Sequence, residues 1–324
     1  LKILYLIWAP YNRRAESFGQ GLECEVCFVH YFQYQKMKWS MLKYPLMAFR
    51  TLWLLFNKRP DAVILMTPPL FTVLFGYLYC LLMNKKFLID AHTGSLISRP
   101  WTHFSWLHRF LCRRAVRTIV TNEALAEFVR SWGGRTLIMN PPVRFPPIEA
   151  DPPGTIRKLV VVTAFSFDEP LTEILKAARD HPGIHFYITG NKSKAKPELL
   201  AFESEHIHFT GFLPQLDYLR LLKESDGVLC LTTRDHTLQS GGEEALFMGK
   251  PLITSNFRIL RDFFRKGTVY VDPYKSAVSE GVRLFYRNRK RLADEMFLLR
   301  EEHESEWKMK KSYLFQLLES GDTH

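Results

Sequence analysis

At 324 residues, 47% hydrophobic and 24% charged, the chain is long enough for two domains of ordinary size, and its composition excludes a disordered protein. Its net charge of +11 sits in one part: residues 1–150 hold 19 Lys+Arg against 8 Asp+Glu, and the remainder holds 25 against 25. A basic half suits nucleic acid or an anionic membrane surface, but no glycine-aromatic or helix-turn-helix signature accompanies it, which argues against nucleic acid.

In chain order, the first half predicts strands at "KILYLIW" (2–8), "CEVCFVHY" (24–31), "AVILM" (62–66), "KFLIDA" (86–91), "TIVT" (118–121) and "TLIM" (136–139), with helical stretches between them. The basic residues are interleaved with bulky apolar ones in "KMKWSMLKYPLMAFRTLWLLF" (36–56) and "WTHFSWLHRFLCRR" (101–114). That mixture favours a bilayer interface, although core-facing helices with basic outer faces would read the same way. The longest apolar run, "VILMTPPLFTVLFGYLYCLLM" (63–83), is split by Pro68 and Pro69. Its helical part, after the two prolines, has about 14 residues, short of the ~20 needed to span a bilayer. Five scattered cysteines, an odd number, suggest a reducing compartment, and Cys24-x-x-Cys27 lies in a predicted strand with no second ligand pair after it.

The Pro-rich passage "NPPVRFPPIEADPPG" (140–154) reads as a linker. The alternation then restarts with "KLVVVTAF" (158–165), "HFYITG" (185–190), "HIHFTGF" (206–212), "GVLCLTT" (227–233), "PLITS" (251–255) and "TVYVD" (268–272), before a helical tail from about residue 274 to 320. Near-continuous apolar strands alternating with helices indicate parallel sheets covered on both faces. The expected fold is therefore α/β: two doubly wound, Rossmann-like domains, 1–145 and 155–300, facing across a cleft. A terminal helix, 301–324, is expected to pack back toward the first domain. In such domains ligands bind beyond the carboxyl ends of the strands.

Candidate site residues follow from that rule. Gly190 and Asn191 follow one strand; Phe212 and Leu213 follow another. In "LTTRDHTLQSGGEEAL", Ser240, Gly241 and Gly242 precede a helix expected at 243, so the glycines would leave N–H groups open to a diphosphate. Glu243 reads as dipole compensation in the first turn, and Glu244 as a ribose-binding carboxylate. In the first half, Asp90-Ala91-His92 closes the strand "KFLIDAH". Residues 90 and 92 share a face, so the carboxylate could orient the imidazole and raise its basicity for general base work. A structural polar pair at a strand end is the alternative. No metal-ligand cluster is visible.

The segment "EEALFMGKPLITSNFRILRDFF…GTVYVDP" resembles the C-terminal signature of GT-B glycosyltransferases, the group that includes the family-4 retaining enzymes. There a Glu binds the donor ribose, and Glu244 occupies its position. "VVTAFSFDEPLTEILKAA" (161–178) is similar to the opening of the family's donor domain. "MTPPL…KFLIDAHTGSL" resembles the pattern of enzymes that mannosylate a chitobiosyl-diphospholipid, and of bacterial relatives; "IVTNEALAEFVRSWG" and "LIMNPPV" are similar to the end of an acceptor domain. Three features depart from the pattern. A second Glu, eight residues before the first, is replaced by His236. The diphosphate-holding Arg and Lys fall at about Ser166 and Thr172. A Gly-Gly loop is replaced by "APYNRRAESFGQG". The Gly241 and Gly242 N–H groups, His236, or Arg13 and Arg14 would then have to stabilise the leaving group.

The resemblance implies a metal-independent hexosyltransferase without a cofactor, using a UDP- or GDP-linked sugar as substrate. Together with the basic, apolar first half, it implies a lipid-linked or glycan acceptor and a peripheral place on the cytoplasmic face of the membrane. The alternative is a non-catalytic GT-B-fold binding or partner subunit.

Overall fold

The computed structural model describes residues 1–32, 40–149, 154–235, 237–274 and 277–320. They form two compact units, Leu1–Pro142 with Ser305–His324, and Val143–Glu304.

The first unit runs β1 (Ile3–Ile7), α1 (Arg13–Leu22), β2 (Glu25–Phe28), α2 (Ser40–Lys58), β3 (Ala62–Thr67), α3 (Leu70–Met83), β4 (Lys86–Ala91), α4 (Thr93–Ile97), α5 (Ser105–Arg114), β5 (Thr118–Val120), α6 (Glu123–Ser131) and β6 (Thr136–Ile138). Its six strands are parallel, in the order β2-β1-β3-β4-β5-β6. Successive residues of β1 serve opposite faces: Leu4 and Leu6 enter one apolar cluster with Val63 and Leu65, while Ile3, Tyr5 and Ile7 enter another with Ile64 and Leu88. Both faces are covered, which is why these strands read as unbroken apolar runs. Helix starts are marked by their side chains: Asn12 accepts from the Ala15 N–H at 3.0 Å, and Asn122 from the Leu125 N–H at 3.1 Å.

The second unit runs β7 (Lys158–Val161), α7 (Leu171–Arg179), β8 (His185–Thr189), α8 (Pro197–Leu200), β9 (Ile207–Gly211), α9 (Gln215–Glu224), β10 (Gly227–Cys230), α10 (Ser240–Met248), β11 (Leu252–Ser255), α11 (Arg258–Phe263) and β12 (Thr268–Val271). This sheet is also parallel, ordered β12-β11-β10-β7-β8-β9. The chain therefore has the expected α/β architecture, two doubly wound sheets. The strands expected to reach Phe165 and Thr233 end earlier, at Val161 and Cys230, because the chain turns there to build polar loops.

A long last helix, α12 (Ala277–Glu319), contributes its final residues to the first unit. Trp307, Leu314 and Leu318 lie on one helical stripe and are buried in the Ile3–Tyr5 cluster. The Trp307 ring meets Phe18 edge-on at 5.6 Å, and it lies so close to α1 that a Cβ on Gly21 would come within 2.4 Å of it. Lys86 Nζ closes the helix end by donating to the carbonyls of Leu317 and Leu318, each at 3.1 Å. A cation on those unsatisfied carbonyls also answers the helix dipole. Burial pushes the Cys24 thiol up to about 11 and raises that of Cys27, so neither is a thiolate at neutral pH.

Trp307→Ala removes a large buried side chain and should lower the unfolding free energy by about 3–5 kcal/mol. Urea denaturation measures this; a loss below about 1 kcal/mol would mean that the helix end contributes little to the first unit's core.

Candidate functional site

The second sheet changes winding direction between β7 and β10. From β7 the chain moves to β8 and β9 on one side, and β10 to β12 lie on the other. Loops leaving two such strands diverge, and the crevice between them is where a doubly wound sheet can hold a ligand. The relevant loops are 162–170 and 231–239.

The loop after β7 is organised by two carboxylates. Glu169 accepts from the Ala164 N–H at 3.0 Å, from the Ser166 N–H at 2.9 Å and from the Thr163 hydroxyl. This holds the turn in place around Phe165, whose φ of 56° is left-handed. Asp168 accepts from the Ser166 hydroxyl at 2.5 Å and from the Thr232 hydroxyl at 3.0 Å, and its carbonyl accepts from the Thr233 N–H at 2.7 Å. Burial works to raise the Asp168 pKa, but the Ser166 and Thr232 hydrogen bonds outweigh it and hold it below the usual range. The two loops are thus tied across the switch point. Ser166 serves that tie.

Beside this crevice, Gly190 has φ 108°, and a Cβ there would meet the Thr163 carbonyl at 2.3 Å; the glycine lets the end of β8 approach the β7 loop. Asn191 turns back to accept from the Ser193 N–H at 3.0 Å, capping a 3-10 turn at Lys192–Lys194. At the end of β9, Gly211 opens onto free space; beyond it Leu213 is half-buried, and the Phe212 ring is 83% exposed. An aromatic face held in solvent at a strand end can stack on a planar base.

The segment 239–244 corrects one expectation. Helix α10 begins at Ser240, ahead of the expected 243, so Gly241 and Gly242 lie inside its first turn and are buried. A Cβ on Gly241 would meet Val162 at 2.7 Å, and one on Gly242 would meet Phe264 at 2.7 Å. These glycines let the helix lie close on the sheet instead of flooring a pocket. The Gly242 N–H already donates to the Gln239 carbonyl at 3.0 Å. Ser240 is exposed, and Glu243, half-buried, sits in the first turn. Glu244 is 4% exposed and accepts from the Tyr218 hydroxyl on α9. Gln239 anchors the turn by donating to the Leu231 carbonyl at 2.9 Å, and its Oε1 is buried with no partner among the described residues. His236 lies outside the described residues. Asp168, Glu169, Tyr218 and Gln239 were not singled out from sequence; the "DEP" of 168–170 was the available signal for the first two.

In the first unit, the expected Asp90–His92 couple is not made. Asp90, fully buried, accepts from the Tyr5 hydroxyl and from Arg14, whose Nη2 lies 3.0 Å from Oδ1 and whose Nε lies 3.1 Å from Oδ2. The same guanidinium donates to the Met139 carbonyl at 2.9 Å and to Asn140 Oδ1 at 3.1 Å. Arg14 therefore ties β4 to the chain leaving β6 and is not a loose cation. This is a paired, hydrogen-bonded buried charge, whose loss on either side is costly.

His92 follows β4. Its N–H donates to the Thr67 carbonyl at 3.1 Å, and its carbonyl accepts from the Ser95 N–H at 2.9 Å. Its Nε2 is buried without a partner among the described residues, as are the hydroxyls of Thr67, which ends β3, and Thr72, in the first turn of α3. Burial lowers the His92 pKa below the usual value, Asp90 opposing and Arg14 adding to the shift. The imidazole is thus neutral at pH 7. Among the described residues, no group of three or more His, Cys, Asp or Glu could hold a metal ion.

Comparison with known proteins agrees with the fold. Residues 149–296 match the family model "Glycosyl transferases group 1". No protein of curated function matches the sequence. Among solved structures, Anabaena HepE in complex with UDP and glucose is 13% identical, with a TM-score of 0.70 over 98% of this chain and 99% of that one. A glycosyltransferase from Rickettsia africae is 11% identical, with a TM-score of 0.71 over 99% of each chain. A UDP-N-acetylglucosamine 2-epimerase of Listeria monocytogenes, so described provisionally, is 14% identical, with a TM-score of 0.58 over 91% of this chain and 90% of its own. The chain thus has the GT-B fold, and its residues 149–296 are similar to a group 1 glycosyl transferase domain.

Proposed function

We propose that the chain transfers a hexose from a UDP-sugar to a glycan or lipid-linked acceptor, as a peripheral enzyme on the cytoplasmic face of a membrane. The observation that carries the donor part is Glu244. It is a buried carboxylate of the group 1 domain, beside the β7–β10 switch point, with one oxygen steadied by Tyr218. A carboxylate so placed can accept from both hydroxyls of a ribose. Phe212 offers the base a ring to stack on. UDP as the nucleotide is supported by the HepE complex, and the reading needs neither a cofactor nor a metal.

For the acceptor, we assign His92 the role of base: its imidazole is neutral, and its Nε2 has an unused lone pair or proton. The membrane part rests on α2, α3 and α5. Phe49 and Trp53 on α2, Leu81 and Leu82 on α3, and Trp106 and Phe110 on α5 are exposed large apolar side chains. Helix α3 packs against both α2 and α5. Arg50 lies 4.2 Å over the Trp53 ring and Arg114 5.1 Å over that of Phe110, so cations and apolar rings share one surface. Such a surface suits an anionic bilayer. No helix among the described residues is long and apolar enough to cross one.

A second reading, a nucleotide-binding partner subunit without turnover, is favoured by the absence of any Lys or Arg from Val162 to Leu175. Assay against a panel of nucleotide-sugars separates the two: binding without even donor hydrolysis selects the partner.

Glu244→Ala should weaken UDP binding by about 10–100-fold, the loss of one or two charge-assisted hydrogen bonds. Calorimetry reads this, after a thermal-shift comparison of UDP, GDP, ADP and TDP; an unchanged Kd refutes the ribose role. His92→Gln should lower kcat by about 10²–10⁴. In the native enzyme the base works unprotonated and its pKa is depressed, so the rate should hold at pH 7 and fall only as pH drops below 6.5. An acid limb above that value would contradict the assignment. The chain should sediment with anionic vesicles at low salt and be released at high salt; equal binding to neutral vesicles would remove the electrostatic part.

A further inference from the structure

We infer that Arg234 is the cation that meets the diphosphate of the donor. The inference rests on the donor reading above and adds to it the residue that supplies positive charge. A departing nucleoside diphosphate needs donors or cations aimed at its oxygens. In the two loops that border the switch point, 162–170 and 231–239, Arg234 is the sole Lys or Arg.

The β7 loop cannot do this work as it stands. Successive backbone N–H groups in a turn can cradle an anion. Here, however, the N–H groups of Ala164 and Ser166 and the Thr163 hydroxyl already converge on Glu169. The loop's anion cradle holds the chain's own carboxylate, and Asp168 stands beside it. A phosphate approaching that side meets two negative charges and no open donor among these groups. In the first turn of α10 the N–H groups of Gly242 and Glu243 go to the Gln239 carbonyl.

Arg234, by contrast, is exposed and well supported. Its N–H donates to the Thr232 hydroxyl at 3.1 Å, and that hydroxyl donates to Asp168, so the backbone under the side chain is fixed to both loops. Its guanidinium lies 6.0 Å from the centre of the Phe167 ring, which is itself 90% exposed. The cation is therefore extended across the mouth between the loops, over an aromatic face that leaves its fork free to bond. A guanidinium there can donate twice to a phosphate.

The test compares UDP with uridine by calorimetry on the full chain. Arg234→Ala should weaken UDP by about 10–100-fold and leave uridine unchanged; Arg234→Lys should recover part of the UDP affinity. The residue is exposed, so the melting temperature should not move. UDP affinity within about twofold of the native value overturns the assignment, and so does an equal loss for uridine. A native chain that binds neither probe overturns the donor reading itself, and the assignment with it.

Discussion

Both units depend on the parallel crossover. Each strand runs the same way as its neighbours, so every loop that follows a strand emerges on one edge of its sheet. At that edge the backbone stops pairing with itself, and polar groups from several separate stretches of sequence come together. Where the winding reverses, between β7 and β10, the loops part instead of crowding one another. Glu244, Gln239, Arg234 and the Asp168–Glu169 pair, 76 residues apart at the extremes of 168 and 244, are neighbours of that one gap only because of this topology.

The same edge creates a difficulty that both units meet alike. Loops that leave a buried sheet carry polar groups that need partners. In the first unit Asp90 takes the Tyr5 hydroxyl and the Arg14 guanidinium, and through Arg14 the chain after β6 is held as well. In the second unit Glu169 takes two N–H groups and a hydroxyl, and Asp168 joins the loops. These acids are therefore parts of the scaffold. What they leave over is the chemically open set: the His92 Nε2, the exposed Phe212 ring and the extended Arg234. A carboxylate at a strand end is thus weak evidence for catalysis until its partners are known.

That distinction explains what the sequence could and could not convey. The twelve strands of the described residues were legible because each is a short β-prone run bounded by polar turns, and the central ones, such as β1, β3, β10 and β11, are buried on both faces. The errors lie where local preference and tertiary demand diverge. "TAF" and "LTT" are β-prone residues, yet Glu169 and Asp168 draw them out of the sheet into the site. Two glycines before two acids suggested an open phosphate loop; the β-branched side chain of Val162 and the ring of Phe264 show that they permit close packing instead. Asp90 and His92 do fall two apart on one strand end, but Arg14, 76 residues earlier, outcompetes the imidazole for the carboxylate. No spacing rule reveals that competitor. The place of Glu244, by contrast, depends on a local segment, "EEALFMGKP", that forms one helix and its exit.

The distribution of charge gives the two halves different uses for electrostatics. Residues 1–150 carry the whole excess of positive charge, much of it beside exposed rings on α2 and α5, where many weak, screened attractions can add over an extended anionic surface. The remainder is neutral, and the crevice at the β7–β10 switch point, the proposed donor site, is bordered by Asp168, Glu169, Asp235, Glu243 and Glu244 with one arginine. A dianionic diphosphate gains little from such a field as a whole. Affinity for a nucleotide there must come mainly from short-range contacts: hydrogen bonds from ribose to a carboxylate, stacking worth about 1–3 kcal/mol on an exposed ring, and a single well-aimed guanidinium. An acidic rim around one cation also disfavours phosphates that arrive without a nucleoside attached. Under the proposed function, selectivity for a nucleotide-sugar would then draw on the same carboxylates, Asp168 and Glu169, that hold the loops together.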